Sequence, residues 1–274
     1  MRRLIAMLAL VVGGCAAELE PFEPPPMDPT YDDGKADTPD PTWSDVGLGV
    51  EYQRTNIGTG VLVAYGGYTA RMSYSAAWAL ELVDQQLGGV GVGHVYAVKG
   101  PADPGYDARE IANTKLRAHL KTVDDGASPI YVVAHSSGAF VAHELFEQMA
   151  AHSDELATLA RIRYADLDGG GSGLTDTIVD TMAAVTFVYA RDPVAGESQN
   201  ASSARFLGET YAPKATTFRV TVDGTGCNVA AGWCLHDVVV THRPHNPQSF
   251  DLARDYTDFE GRPVTTEYFA PLLQ

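Results

Sequence analysis

The sequence predicts an α/β fold in which a mostly parallel sheet is flanked by helices on both faces. The first observation is that, from about Trp43 to Gln274, short apolar runs alternate with segments of helical periodicity. The second is that these apolar runs are nearly continuous, which is typical of strands buried on both sides. Ligands of such sheets lie at the carboxyl ends of the strands, so functional side chains are expected directly after them.

The individual elements follow from these patterns in chain order. Strands are predicted at 60–68, 93–100, 129–134, 161–167, 184–190 and 216–222. Helices between them are predicted from apolar residues that recur three or four positions apart, namely Leu80, Val83 and Leu87; Ala112, Leu116, Leu120 and Val123; and Val141, Leu145 and Met149. Two further helices are predicted at 174–183 and near 203–211. The segment 243–264 is expected to extend an edge of the sheet or to line a cleft.

The first residues, MRRLIAMLALVVGGC, predict a targeting segment. Arg2 and Arg3 precede an apolar run that is too short to span a bilayer. The end of this segment, VVGGC, resembles a bacterial lipobox, which implies cleavage before Cys15 and acylation of its thiol. An ordinary signal peptide that is cut nearby is the alternative. We therefore expect residues 1–14 to be a signal peptide and the protein to be held on a membrane of the bacterial cell envelope, facing the periplasm or the exterior.

The rest of the chain divides into a tether and one folded domain. Residues 15–42 are rich in Pro, Asp and Glu, so they cannot bury enough apolar surface to fold, and we expect a solvated spacer there. Residues 43–274 form the predicted α/β domain. The formal net charge of the whole chain is -16, which repels phosphate backbones and argues against nucleic acid as a partner.

The two remaining cysteines, Cys227 and Cys234, are predicted to form a disulfide. Export would place them in an oxidising compartment, where a disulfide is the default for two cysteines. A structural zinc site needs four ligands, and two cysteines alone do not supply them.

The segment Ala134-His135-Ser136-Ser137-Gly138 carries the strongest chemical signal. It ends a predicted strand and opens a predicted helix, and small residues stand two positions on either side of Ser136. This pattern resembles the nucleophile elbow G-x-S-x-G of the α/β-hydrolases, with alanine in place of the first glycine. The resemblance covers roughly residues 46–250 and implies an α/β-hydrolase fold with Ser136 as the nucleophile. The alternative interpretation is a tight turn with small residues for packing only.

The resemblance implies that a histidine after the last strand is the base. His236 is preferred because it follows Cys234, whose disulfide would fix its loop; His242 and His245 are the alternatives. These histidines and Asp237 would otherwise form a metal site, but their spacing matches no zinc motif. His135 lies inside the elbow, and its side chain is expected to point away from the site.

Two aspartates end strands after the nucleophile and are candidates for the acid that orients the histidine. Asp192 follows the second strand after Ser136, which is the commonest place in α/β-hydrolases. Asp168 follows the first, as in the pancreatic-lipase-like branch, where a Leu-Asp pair and a Cys-x-His pattern occur together, and Leu167-Asp168 and Cys234-Leu235-His236 match both. Asp168 is preferred and Asp192 is the alternate acid. Asp166 would replace Asp168 if the strand ended earlier.

The oxyanion hole is expected to combine two backbone N–H groups. One belongs to Ser137, directly after the nucleophile. The other belongs to Gly67 or Tyr68 in the glycine turn that follows the first long strand. The chain has no clear His-Gly-Gly-Gly signature, so this part of the site is inferred from position alone.

These features predict a membrane-anchored, exported serine hydrolase that cleaves carboxylic or lipid esters through Ser136, His236 and Asp168. A peptidase or thioesterase with the same triad, and a non-catalytic surface lipoprotein on the same scaffold, are the alternatives. No cofactor and no metal are expected. In particular, GGVGVG at 88–93 fails the G-x-G-x-x-G spacing and precedes a strand rather than following one.

Overall fold

The fold was analysed on a computed structural model. The structure describes residues 42–258 apart from 56–57, 69, 88–90, 102–105, 172, 193–195, 224–234, 237–238 and 241–252. The predicted signal segment with Cys15, the tether up to residue 41, the Cys227–Cys234 disulfide, Asp237, His242 and His245 therefore lie outside the described residues.

Within this described part, ten strands form a single sheet. The strands are β1 (Ser44–Asp45), β2 (Val50–Arg54), β3 (Gly60–Tyr65), β4 (Val92–Val98), β5 (Ile130–His135), β6 (Ile162–Leu167), β7 (Ala184–Asp192), β8 (Gly196–Glu197), β9 (Ala215–Asp223) and β10 (Ala253–Asp258). The helices are α1 (Met72–Glu81), which continues as a π-helical turn (Leu82–Gln86), α2 (Tyr106–Val123), α3 (Gly138–Ala150), α4 (Leu156–Leu159), which follows a 3-10 turn (Ser153–Glu155), α5 (Asp176–Thr181) and α6 (Ala201–Thr210).

The strand order is β1-β2-β4-β3-β5-β6-β7-β9-β10, with β8 paired to β7. The six strands from β4 to β9 along this order are parallel, whereas β1, β2, β8 and β10 pair antiparallel at or near the edges. The chain passes from β3 to β4 on one side and then returns to β5 on the other side of β3. The carboxyl ends of β3 and β5 therefore border the point where the order reverses, which is where such sheets bind ligands.

The core consists of two apolar layers, one on each face of the sheet. Helix α1 and the π-helical turn that continues it pack on one face through Trp78 and Leu82, which are fully buried in the same apolar cluster as strand residues such as Val133. Helices α2, α3, α5 and α6 contribute to the layer on the other face. Neighbouring strand residues alternate between the two layers, so each central strand is buried on both sides. The predicted fold class, an α/β-hydrolase fold with a mostly parallel sheet between helices, is confirmed.

The elements that the sequence did not predict are mostly short or polar. Strand β2 has the sequence VEYQR and pairs with β4 on one side and with the two-residue strand β1 on the other. Most of its residues are only partly buried, so it lacks the apolar run that identifies a buried strand. Strand β10 lies within the segment 243–264 and pairs antiparallel with β9, so the described part of this segment extends the edge of the sheet. No helix among the described residues is long and apolar enough to cross a membrane.

Candidate active site

Ser136 lies in a strained turn between β5 and α3. Its φ angle is +54°, a left-handed value that is uncommon for a residue with a side chain and costs on the order of 1–3 kcal/mol. The turn is held by the N–H of Ser136, which donates to Leu167 O at 3.1 Å. The strain is maintained because β5 precedes the turn, α3 follows it, and the end of β6 accepts its hydrogen bond. Strain of this kind is concentrated at functional sites.

Gly138 shows why this turn needs small residues. A Cβ on Gly138 would lie 2.5 Å from Gly66 O and 2.7 Å from Tyr65 O, which is too close for any side chain. The helix α3 can therefore begin directly against the end of β3 only if this position is glycine. The structure thus gives a steric reason for the small residue that the sequence pattern has at this position.

The glycine turn after β3 lies against the serine turn. A Cβ on Gly67 would come within 3.2 Å of Ser136 Cβ and within 3.0 Å of His135 Nδ1, so the absence of a side chain permits this approach. The turn is closed by the N–H of Ala70, which donates to Gly67 O at 3.0 Å. Within the described residues, the N–H groups of Gly67, Tyr68 and Ser137 have no hydrogen-bond acceptor.

Asp168 and His236 form a buried hydrogen-bonded pair. His236 Nδ1 lies 2.5 Å from Asp168 Oδ2, and the two residues are 3% and 0% exposed. A carboxylate only accepts hydrogen bonds, so the neutral imidazole carries its proton on Nδ1 and leaves Nε2 unprotonated. This is the tautomer that a general base needs when it takes a proton through Nε2.

The remaining contacts of Asp168 come from residues that the sequence reasoning missed. Ser198 Oγ donates to Asp168 Oδ1 at 2.7 Å, and the Asn200 N–H donates to Oδ2 at 3.3 Å. Asn200 Nδ2 also donates to the Asp168 backbone O at 2.7 Å, across a backbone that has φ of +48°. The only signal for these residues in the sequence was their position between β7 and a predicted helix. Strand β7 is the neighbour of β6, the strand that ends just before Asp168.

The two other acidic candidates occupy different positions. Asp192 ends β7 beside Gly196 of β8 and is buried, while the hydrogen bond of His236 Nδ1 goes to Asp168. Asp166 Oδ1 accepts from the N–H of Gly169 at 2.7 Å, so it braces the turn that carries Asp168. Burial raises the pKa of Asp166, while His143, 3.6 Å away, acts in the opposite direction.

His135 does not point away from the site, contrary to the expectation from the sequence. Its ring centroid lies 4.6 Å from that of His236, with 36° between the planes, and its Nε2 lies 3.2 Å from His236 O. Strand alternation explains the difference, because Tyr131 and Val133 of the same strand face the layer that also contains Leu235. His135 therefore contacts the segment that carries His236.

His135 directly precedes Ser136 and contacts His236, so it links the two candidate residues. Within the part of the chain that the structure describes, Ser136 Oγ makes no hydrogen bond to the His236 ring. Hydrogen bonds between nucleophile and base are often long or poorly aligned without a substrate. The next residue along the chain, Ser137, has a buried Oγ without a hydrogen-bond partner in the described structure.

Among the described residues, one group could bring three metal ligands together, and it lies at the 3-10 turn before α4. His152, Asp154 and Glu155 can place their ligand atoms within 4.8 Å of one another. Glu155 already pairs with Arg117 at 2.6 Å and with Lys121 at 2.8 Å, and Asp154 pairs with Lys121 at 3.0 Å. A cation would have to compete with these side chains, so we assign no metal to this group.

Comparison with known proteins gives only distant structural similarity. No family model matches the sequence, and the search of curated proteins gives no match. TT1662 from Thermus thermophilus is 13% identical with a TM-score of 0.43, over 68% of this chain and 89% of that one. Carboxyl esterase 2 from the fungus Tuber melanosporum is 10% identical with a TM-score of 0.44, over 63% of this chain and 71% of that one.

A hormone-sensitive lipase from a metagenome library is 13% identical with a TM-score of 0.44, over 65% of this chain and 74% of that one. Similarity at this level says nothing about the activity of this chain. The chain's own strand order and its two apolar layers define its fold.

Proposed function

We propose that this protein is a serine hydrolase that cleaves carboxylic or lipid esters, with Ser136 as nucleophile, His236 as base and Asp168 as the acid that orients the base. The observation that carries the proposal is the buried 2.5 Å hydrogen bond between His236 Nδ1 and Asp168 Oδ2. A buried Asp–His pair of this kind, close to a serine in a left-handed turn, has the parts that acyl transfer requires.

The reaction begins when Ser136 Oγ attacks the carbonyl carbon of the ester, and His236 Nε2 takes the hydroxyl proton. The imidazolium that forms is stabilised by the Asp168 carboxylate at Nδ1. The carbonyl oxygen becomes an oxyanion, and the N–H groups of Ser137 and of Gly67 or Tyr68 are the proposed donors. Support for these donors is that they have no other acceptor within the described residues and that the Gly67 turn lies against Ser136.

The tetrahedral intermediate then collapses, and the C–O bond to the alcohol breaks. His236 returns its proton to the leaving alkoxide, so the alcohol departs neutral and the acyl group stays on Ser136. Water attacks the acyl-enzyme with His236 again as base, and the carboxylic acid is released with Ser136 restored. No step needs a group other than the substrate, water and these side chains.

The test is hydrolysis of p-nitrophenyl acetate and butyrate by the wild-type protein and by Ser136→Ala. Loss of the nucleophile in a serine triad lowers kcat by roughly a million-fold, so turnover by the variant is expected to approach the background rate. Ser153→Ala, an exposed serine at the 3-10 turn, is the matched control and is expected to retain full activity. Equal rates for Ser136→Ala and the wild type would contradict the proposal.

A fluorophosphonate probe separates this function from a non-catalytic scaffold and needs no knowledge of the substrate. The proposal expects covalent labelling of the wild type at Ser136 and none of the Ser136→Ala variant. Absence of labelling in a folded wild-type protein would favour the non-catalytic alternative. Comparison of esters with peptide and thioester substrates of matched acyl group then distinguishes an esterase from a peptidase or a thioesterase.

We also propose that the protein is exported and anchored to the bacterial cell envelope through Cys15. The proposal rests on the sequence alone: a basic start, an apolar run and the lipobox-like VVGGC, followed by an acidic, proline-rich spacer. Metabolic labelling with palmitate is expected to mark the wild type but not Cys15→Ser, and the wild type should be found in the membrane fraction. Equal labelling of both proteins would contradict the anchor.

A further inference from the structure

His135 makes two contacts with the proposed base, and both are made by its side chain rather than by the backbone pairing of the strand that it ends. Its ring lies against the His236 ring with centroids 4.6 Å apart, and its Nε2 lies 3.2 Å from the His236 backbone O. Both side chains are 3% exposed, so water does not compete for these contacts. His135 is also the residue that directly precedes Ser136, so one rigid strand end carries both it and the nucleophile.

The chemistry of the contact fixes the direction of the hydrogen bond. A carbonyl oxygen can only accept, so His135 Nε2 carries the proton and donates it to His236 O. In the neutral ring, Nδ1 is then unprotonated, and it faces the Gly67 turn at 3.0 Å from the position that a Gly67 Cβ would occupy. The ring of His135 thus stands between the turn after β3 and the segment that carries His236.

The segment around His236 explains why such a contact matters. His236 follows the last long parallel strand, β9, and lies outside the described strands, so contacts of its side chain and backbone help to position it. Leu235 is buried in the core, Asp168 holds one edge of the imidazole, and His135 holds the backbone and one ring face. The bond to Asp168 alone leaves the ring able to swing about that edge, and the contacts of His135 oppose this motion.

We propose, on the basis of the proposed function, that His135 is a positioning residue that keeps the imidazole of His236 aligned with Ser136. The hydrogen bond to His236 O locates the backbone, and the tilted ring of His135, packed against the imidazole, limits its rotation. Catalytic groups have to be held within about 0.5 Å of their working geometry, so loss of these restraints lowers the rate of the chemical step rather than substrate binding.

Three substitutions separate the two contacts. His135→Gln keeps an N–H donor at a similar distance from the backbone but loses the ring, His135→Phe keeps a ring but loses the donor, and His135→Ala loses both. His152→Gln is the matched control, because His152 is an exposed histidine outside the proposed site. Far-UV circular dichroism and thermal unfolding establish that each variant is folded before its activity is compared.

Steady-state kinetics on p-nitrophenyl acetate provide the first readout. His135→Ala is expected to lower kcat by about tenfold or more with little change in KM, and His135→Gln is expected to recover a substantial part of the loss. The His152→Gln control is expected to match the wild type. A kcat for His135→Ala within about twofold of the wild type, or a change in KM alone, would overturn the proposal.

Proton NMR provides a second readout that requires no substrate. The Nδ1 proton of His236, bonded to Asp168, is expected to give a downfield resonance in the wild type that disappears in Asp168→Asn. It should broaden or be lost in His135→Ala and persist in His135→Gln. An unchanged resonance in a folded His135→Ala protein would overturn the positioning role, whether or not the protein hydrolyses esters. Failure of the proposed function would instead show as a wild type without Ser136-dependent turnover or labelling.

Discussion

His236 Nδ1 lies 2.5 Å from Asp168 Oδ2, although the two residues are separated by 68 positions in the chain. The pair is buried, and Asp168 also receives hydrogen bonds from Ser198 Oγ and the Asn200 N–H. These donors fix the orientation of the carboxylate. The hydrogen bond between His236 and Asp168 therefore defines which tautomer His236 adopts. It also predicts that Asp168 is the residue whose substitution impairs the base.

Asp168→Asn is expected to lower kcat by about four orders of magnitude, as removal of the charge from the acid does in other serine triads. The amide would present a donor to His236 Nδ1 or lose the hydrogen bonds from Ser198 and Asn200. Asp192→Asn is the matched control, because Asp192 is also a buried aspartate that ends a strand, and it is expected to keep most of the activity. Kinetics on p-nitrophenyl acetate would contradict the assignment if the Asp192 variant lost the greater part of its activity and the Asp168 variant did not.

Ser198→Ala is expected to lower kcat/KM by about tenfold to a hundredfold. Ser198 Oγ donates to Asp168 Oδ1 at 2.7 Å and accepts from the N–H of Ala190 at 2.9 Å. A hydrogen bond to a charged group is worth about 1.5–3 kcal/mol, and loss of it leaves the carboxylate less firmly held. Ser202→Ala, an exposed position on α6, is the control and should match the wild type. Identical kinetics for both variants would show that Ser198 does not support the site.

The sequence predicted the central strands, the long helices and the serine turn because each depends on local patterns. Apolar runs identify strands buried on both faces, and the spacing of Val141, Leu145 and Met149 identifies α3. Position 138 needs glycine because the backbone of this turn lies against the backbone at the end of β3. These features need no knowledge of which distant segments meet.

The contacts of the site could not be predicted in the same way because they join distant segments. Asp168 and Asp192 both end neighbouring parallel strands, so strand position alone gives no reason for His236 to bond to one of them rather than the other. The preference for Asp168 came from the resemblance of Leu167-Asp168 and Cys234-Leu235-His236 to the pancreatic-lipase-like branch. Ser198 and Asn200 carry no motif, and their role depends on where the chain turns after β7. The predicted orientation of His135 was wrong because the pattern of a strand does not show on which face of the sheet a distant segment packs. Here the distant segment is the one that carries Leu235 and His236.

Gly170→Ala is expected to destabilise the protein, while the neighbouring Gly171→Ala is not. A Cβ on Gly170 would overlap the ring of Phe140, whereas a Cβ on Gly171 would have its nearest contact at 3.6 Å, with Ser203 Oγ. Overpacking of this kind typically costs about 1–3 kcal/mol in the free energy of unfolding. Thermal unfolding of the two variants measures the difference.

A second substitution tests the cause of this effect. Phe140→Leu removes the ring that the Cβ of Gly170→Ala would overlap. The loss in the free energy of unfolding of the double variant is therefore expected to be smaller than the sum of the losses of the two single variants. Purely additive losses, or equal stability of the two alanine variants, would show that Phe140 is not the obstacle.

His94 is expected to make the protein less stable as the pH falls. Its Nε2 accepts from Arg54 at 3.3 Å, and its Nδ1 lies 2.9 Å from the Tyr52 hydroxyl. Burial and the neighbouring Arg54 guanidinium lower the pKa of His94 below its ordinary value. The unfolded chain therefore binds a proton near its usual pKa of about 6.5, where the folded protein does not. The contribution of His94 to stability is present above that value and is lost as the pH drops towards the lowered pKa.

Thermal unfolding between about pH 8 and about pH 5 measures this contribution as a difference between proteins, because carboxylates and other histidines also titrate over this range. The wild type is expected to lose more in Tm on acidification than His94→Asn, which keeps a polar group at the position of Nδ1 but cannot gain a proton. His152→Asn removes an exposed histidine instead and is expected to follow the wild type. If His94→Asn and the wild type lose the same amount, the contacts of His94 with Arg54 and Tyr52 do not make the edge of the sheet sensitive to acid.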